Sequence, residues 1–424
     1  MALQKKNANL SYDSRSNFGF KGWWIIIFAA LNWFMFNNLG SAAMNVILPN
    51  KAAALGVEQG VLLTYTTPAG IVAVILCFFF GKIAGKWGVK KTNACLLLFG
   101  ALSAVLWAVS SSVLAYIFGI MLTFSFMSGT SLVAGNMAVT NWFPKKKGIA
   151  IGWATMGLNI GGAVIVPFLT AMVAKLGNIT NAMLVLAACV AVLFVLNMVA
   201  FKDYPEQWDA YPDNDPTAQR RTNYKINTGW TNAKVLKQKE TWIMSAGNGI
   251  YQMITLGFVS TLVSSMIQKG FAPPQAITIM TVSCLIGLVG SYLCGFIDQK
   301  FGTQKASIIY GIWCAIGIAF YFVPGKAAAL VYVLMLALSI GGSNNFPPSQ
   351  SAQIFGRDGT IVAFPVIFMI KGVFAYLVYA ILGQSLAHTG AYYVGWGIIL
   401  VLAIVAAILF YICNLDPKKD PEDE

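Results

Sequence analysis

The chain has 424 residues, of which 58% are apolar and only 10% charged, with a mean hydropathy of +0.69 and a formal net charge of +13. A soluble chain covers its surface with about 25% charged residues. A large soluble enzyme, a secreted disulfide scaffold, a disordered chain and a nucleic-acid-binding domain are therefore excluded. The apolar share is enough for twelve crossings of about 20 residues each. The expected class is an all-α membrane protein.

Apolar runs bounded by polar segments predict a tail over 1–21 and six spans over 22–48, 60–81, 92–111, 113–140, 149–174 and 180–201. A polar, Pro-containing loop over 202–240 follows. Six more spans, over 241–268, 275–297, 306–323, 328–350, 361–386 and 391–413, precede a tail over 414–424. Lys and Arg crowd the tails, the central loop and the turns after spans 2, 4, 8 and 10. The opposite loops hold only Lys51, Lys175, Lys269 and Lys326. This asymmetry predicts both termini in the cytoplasm, and the basic balance then reports topology and calls for no nucleic-acid partner. The first span is long and has no small-residue cleavage site, so it does not read as a removable signal peptide. All seven Cys fall in spans without metal-ligand spacing, and no cofactor or metal is expected.

In chain order, span 1 carries Asn32, Asn37, Asn38, Ser41 and Asn45, dense for a lipid-facing helix. After span 2, residues 81–88 (GKIAGKWG) form a basic turn bounded by Gly81 and Gly88 and followed by Lys91. Span 4 holds Asn136 and leads into 141–148 (NWFPKKKG). Span 5 contains Gly157 and Gly161, spaced so that helices can approach closely or hinge. Span 7 holds Asn248, Tyr251 and Gln252. After span 8, residues 295–302 (GFIDQKFG), with Asp298, repeat the first basic turn at the same place in the second half. Residues 353–359 (QIFGRDG) after span 10 loosely repeat 141–148. Two turns in register suggest two related halves of six helices. Spans 1, 4, 7 and 10 are then natural walls of a central site, and Asn344 and Asn345 of span 10 join the candidates. Each such residue serves equally well for interhelical hydrogen bonding.

One charge stands apart. Lys371 lies about ten residues into span 11, where a lysine costs about 2.5–3.5 kcal/mol on insertion scales. All fifteen Asp and Glu lie in tails, loops or span ends, so none is its fixed partner. Lys371 either receives an anionic substrate or is satisfied by backbone carbonyls, water or an interface. The lone His388 falls in a loop, so the spans hold no carboxylate or imidazole for a proton relay, an enzyme's acid–base pair or a metal. A carrier with one unpaired charge should cross reluctantly when empty, which predicts anion exchange over uniport. Proton symport and a non-transporting sensor on a carrier fold are the alternatives.

These features resemble the major facilitator superfamily: the 6+6 plan, the basic turn over 81–91, and 141–148 ahead of a Gly-rich span 5. More narrowly, the stretch 341–356 (GGSNNFPPSQSAQIFG) running on to Lys371 resembles the oxalate/formate antiporter family and its monocarboxylate-transporter relatives. The resemblance implies that Lys371 binds a substrate carboxylate. It also implies departures. A span 8 arginine of the oxalate exchanger corresponds to Ser291, which suits a monoanion better than a small dianion. Aromatic span 10 positions read Ile340 and Asn344, and an Asp usual in the first basic turn reads Gly85, with Asp298 one residue early in the second. The expectation is a secondary transporter of a small organic carboxylate working by rocker-switch alternating access, in a bacterial inner membrane, as a single chain. Lys371, Asn344, Asn345, Tyr251, Gln252, Asn38, Asn45 and Ser291 are its binding candidates. Gly81, Gly88, Lys91, Gly157, Gly161 and Asp298 are its conformational ones.

Overall fold

The computed structural model describes residues 13, 16–217, 228–413 and 415–421, with backbone alone at 357 and 358. Among the described residues there is no strand, and twelve helices are long and apolar enough to cross a membrane. Spans 1 to 6 are Gly19–Asn38, Gln59–Trp87, Val89–Ala108, Val113–Trp142, Lys147–Leu176 and Ile179–Ala200. Spans 7 to 12 are Lys239–Gln268, Pro273–Phe301, Thr303–Phe322, Lys326–Gly356, Gly359–Thr389 and Tyr393–Ile412. Each matches one predicted apolar run. Helices dominate because a backbone crossing lipid must satisfy its own N–H and C=O groups.

Three spans depart from regular helix. The single run predicted over 22–48 breaks after Asn38, turns through 39–43 and resumes as the helix Met44–Leu55. Asn37, Asn38, Gly40 and Ser41 concentrate there, and such residues weaken helix interiors. Span 4 widens to π-helix over Gly129–Gly135, a geometry common at functional sites. Span 10 ends its first helix at Ser339 and restarts at Gly342. Irregular backbone at membrane depth is tolerated where it lines a cavity, and all three breaks lie against the one described below.

The extension of span 1 changes the place of Lys51. Expected in an exposed loop, it is 1% exposed. Its Nζ donates to the carbonyls of Ala108 (2.6 Å) and Ser110 (3.2 Å) and to Ser110 Oγ (3.3 Å). The end of the span 3 helix has unsatisfied carbonyls, and the lysine spends all three donors on them.

The described residues nearest both chain ends and those of the central loop share one face, termed here the tail face. Asp213 accepts from the N–H groups of Lys145 (3.1 Å) and Lys146 (2.9 Å) in the span 4–5 turn, and Asn214 donates to the Asp13 and Ser16 carbonyls. On the other half, the Lys418 N–H donates to the Ile354 carbonyl (2.8 Å), its ammonium pairs with Glu240 (2.6 Å), and Asp420 accepts from the Gly229 N–H (2.6 Å). The first part of the loop thus straps one half and the second part the other.

The hydrogen bonds that join the halves are one-sided. Asn45 Nδ2 donates to the Val259 carbonyl (2.7 Å) and Asn45 Oδ1 accepts from the Val263 N–H (3.0 Å). Thr281 donates to the Ala163 carbonyl (3.1 Å), Gln384 to Thr64 (3.4 Å) and Gln59 to Ser264 (3.5 Å). All lie between mid-membrane and the far face. Among the described residues none lies on the tail side, so the hydrogen bonds between the halves seal the far face.

Candidate functional site

A cavity of about 90 Å³ lies between the halves where the broken spans meet. Trp33, Phe36, Asn37, Gly40 and Ser41 of span 1, Phe124 and Leu132 of span 4, and Leu158 and Asn159 of span 5 form one wall. Gln252, Thr255 and Leu256 of span 7, Cys284 of span 8, Ile340 and Asn344 of span 10, and Phe368 to Tyr379 of span 11 form the other. Lys371 is the one charged residue in this lining.

Lys371 is 2% exposed. Its Nζ donates to the Ser343 carbonyl at 2.6 Å, reaches toward Asn344 Oδ1 at 3.5 Å, and stands 5.4 Å from the centre of the Phe368 ring. Span 7 presses on span 11 at this level, since a Cβ on Gly249 would lie 2.9 Å from the Lys371 carbonyl oxygen. Gln252 follows Gly249 by three residues, about 4.5 Å along the axis, and Thr255 by six, about 9 Å. Thr255 Oγ1 lies 3.4 Å from Ser343 Oγ. Spans 7, 10 and 11 thereby converge on the ammonium. Across the cavity, Ser41 donates to Asn37 Oδ1 (3.3 Å) and Asn37 to the Leu158 carbonyl (2.6 Å). The result is a mainly apolar chamber, six of whose lining residues are aromatic, with a cation at one side and amides on both.

Of the eight binding candidates, the structure brings Lys371, Asn344 and Gln252 together and puts the other five to structural use. Asn345 donates to the Ser291 carbonyl (3.0 Å), and Ser291 Oγ to the Gly287 carbonyl (3.1 Å). The Ser291 side chain fills the space beside Gly341, so this pair fastens span 10 to span 8 outside the cavity lining. Tyr251 is fully buried in the second half. Its hydroxyl donates to the Ser307 carbonyl (2.6 Å) and its ring packs on Tyr310 and Phe410. With its amide turned to donate, the Asn38 nitrogen faces the carbonyls of Gly161 (3.0 Å) and Phe34 (3.2 Å) and ties span 1 to span 5. Asn45 clamps the two halves. In each case helix rotation points the polar group at a neighbouring backbone.

The conformational candidates lie elsewhere. A Cβ at Gly81 would meet only the Val133 side chain, at 4.0 Å, and Lys91 is exposed on the tail face. Gly88 (φ 91°) ends span 2 against Asp203, whose carboxylate accepts from the Lys90 N–H at the start of span 3. The turn that lacks an acid at Gly85 is thus served by one from the central loop. In the second copy, Asp298 Oδ1 is buried with no hydrogen-bond partner among the described residues. Gly157 and Gly161 let span 5 lie directly on span 1 within one half. A Cβ at Gly157 would overlap the Ala30 carbonyl, and one at Gly161 would lie 2.8 Å from that of Phe34. Overpacking costs about 1–3 kcal/mol or more, so Gly157→Val should lower the Tm of the purified protein by several degrees in a thermal melt. An unchanged Tm would contradict this packing.

Asn37 and Ser41 stood among the polar residues of span 1 without entering the eight, and Asn159, Thr255, Tyr376 and Tyr379 were not singled out. A signal existed for the last two. Gly372, Ala375, Tyr376 and Tyr379 follow Lys371 at helical spacing and form one stripe of span 11. Asn159 stands alone in a Gly-rich helix, with nothing in the sequence to say which way it points.

Comparison with known proteins agrees with this architecture. Residues 20–355 match the profile of the Major Facilitator Superfamily. An oxalate:formate antiporter of Oxalobacter formigenes is 22% identical over 294 residues, 67% of this chain. The chain spans 65% of that relative's length. A bacterial homologue of the human lysosomal transporter Spinster, solved inward-facing and unoccupied, superposes with a TM-score of 0.71 at 12% identity. That match covers 93% of this chain and 97% of the other. The nucleoside transporter NupG superposes with a TM-score of 0.68 at 16% identity, covering 91% and 99%. With that profile running through both halves and the fold shared with solved transporters, the chain is an integral membrane protein that belongs to the Major Facilitator Superfamily.

Proposed function

We propose that this transporter carries a small organic carboxylate, in monoanionic form, and exchanges it for another anion by rocker-switch alternating access. The observation that carries the reading is Lys371, a buried ammonium facing a central cavity with no acid in its lining. One cation matches one carboxylate. The aromatic walls suit an apolar body, and Gln252, Asn344 and Asn159 offer amides to its polar groups. The chamber is small, about 90 Å³, which suits a small solute. The oxalate:formate antiporter similarity supports the same substrate class.

Exchange follows from the charge. With an anion bound, Lys371 is neutralised when both gates close. Without one, an ion only partly compensated must cross a closed state, at several kcal/mol. The basic tail face is assigned to the cytoplasm, which makes the conformation described here inward-open. A bacterial inner membrane and a single working chain complete the reading.

Counterflow in proteoliposomes tests it. Vesicles loaded with formate, lactate or benzoate should take up the same labelled anion at least about tenfold faster than empty ones. Uptake that needs no internal anion but follows an imposed pH gradient would establish proton symport instead. Binding without any flux would point to a sensor.

A further inference from the structure

Lys371 does not stand bare, and what holds it is written into span 10. An ammonium has three N–H donors. One donates to the Ser343 carbonyl at 2.6 Å and a second reaches Asn344 Oδ1 at a long 3.5 Å, which leaves one for the cavity. In an unbroken helix the Ser343 carbonyl would accept from the N–H of residue 347. Residue 347 is proline, which has no N–H, and so is residue 348, the matching donor position for the Asn344 carbonyl. Both prolines sit inside the helix that restarts at Gly342. The Ser343 carbonyl is therefore freed by covalent chemistry. A buried carbonyl needs a donor, and the ammonium arriving from span 11 supplies it.

We propose that this carbonyl stands in for the substrate carboxylate in the empty transporter, and that Pro347 is the positioning residue that makes it available. The inference rests on the anion-exchange reading and refines it. A carbonyl dipole compensates an ammonium less fully than a carboxylate does. The empty transporter then reorients slowly instead of not at all. How well residues 343 and 344 hold Lys371 sets the ratio of net flux to exchange.

Two substitutions should move that ratio in opposite directions. Pro347→Ala restores an N–H that competes with Lys371 for the Ser343 carbonyl and weakens its hold on the ammonium. Net efflux should fall about tenfold relative to exchange, the scale of one charge-assisted hydrogen bond, and apparent affinity for the anion should rise. Asn344→Asp puts a carboxylate where Oδ1 now lies 3.5 Å from the ammonium. The resulting internal ion pair should raise net efflux about tenfold relative to exchange and weaken anion binding.

The measurement is efflux of labelled formate, lactate or benzoate from proteoliposomes, into buffer with and without the unlabelled anion outside. Partial misfolding lowers both fluxes together and leaves their ratio unchanged, and if one variant does not fold the other still carries the test. Opposite shifts in the two variants support the proposal. An unchanged ratio, or shifts in the same direction, overturns it while leaving exchange intact. A wild-type protein that moves none of the three anions overturns the exchange reading itself.

Discussion

Lys371→Ala is expected to abolish carboxylate binding while leaving the protein at least as heat-stable as its parent. Removing one partner of a buried, hydrogen-bonded charge pair costs about 2–5 kcal/mol, a loss of affinity of roughly 30-fold to several thousand-fold. Stability follows a different sum. The lysine contributes one strong bond to the Ser343 carbonyl, about 1.5–3 kcal/mol. Against this stands the desolvation of a charge with no acid in the cavity lining, several kcal/mol. A thermal-shift screen of both proteins against a panel of small carboxylates reads both effects, since a ligand of the folded state raises Tm by mass action. The wild type should show hits that the variant lacks, at an equal or higher baseline. Equal stabilisation of both proteins would remove Lys371 from the site. A variant that melts far below the wild type would make the lysine structural.

Gly383→Val should break transport by a different route. Gly60 of span 2 and Gly383 of span 11 let two backbones touch across the halves at the far face. A Cβ on Gly60 would lie 2.5 Å from the Gly383 carbonyl oxygen, and one on Gly383 would lie 2.7 Å from the Thr64 nitrogen and overlap its hydroxyl. For each glycine, the three atoms nearest that Cβ belong to the other half. A valine at 383 therefore penalises only the conformation sealed at the far face and shifts the population toward the opposite one. Transport should fall about 100-fold, which corresponds to roughly 2.7 kcal/mol and lies within the range of overpacking penalties. Cys284 lines the cavity and is buried in the sealed state. In a variant keeping only that cysteine, an impermeant maleimide applied to the far face should label Gly383→Val and spare the parent. Equal labelling of both would mean that this contact is not the far gate.

The organisation of the chain was legible because bilayer physics is coarse. Twelve apolar runs gave twelve spans, and the repeated basic turns marked two halves. Lys371 was legible for the same reason, since a charge amid apolar residues is visible without any knowledge of packing. The polar residues were not. Asn45, Asn344 and Asn345 look alike in sequence, yet one clamps the halves, one faces the cavity and one fastens span 10 to span 8. Between the adjacent Asn344 and Asn345, a rotation of one residue, 100° on a helix, separates those fates. The breaks in spans 1 and 10 were missed because hydropathy reads straight through them, although the Asn and Gly of span 1 and the Pro–Pro of span 10 were in view.

Hydropathy and charge placement are enough to make this a twelve-span membrane protein with one intramembrane cation, since lipid admits only self-satisfied helices and a charge there demands a reason. Tertiary structure alone decided which residues surround that cation. Helix rotation, crossing and breakage arise from contacts between distant segments, such as Gly249 on Lys371 and Asn37 on Leu158. It also decided that the lysine rests on a carbonyl. Two prolines free that group in one span, and its donor comes from the next.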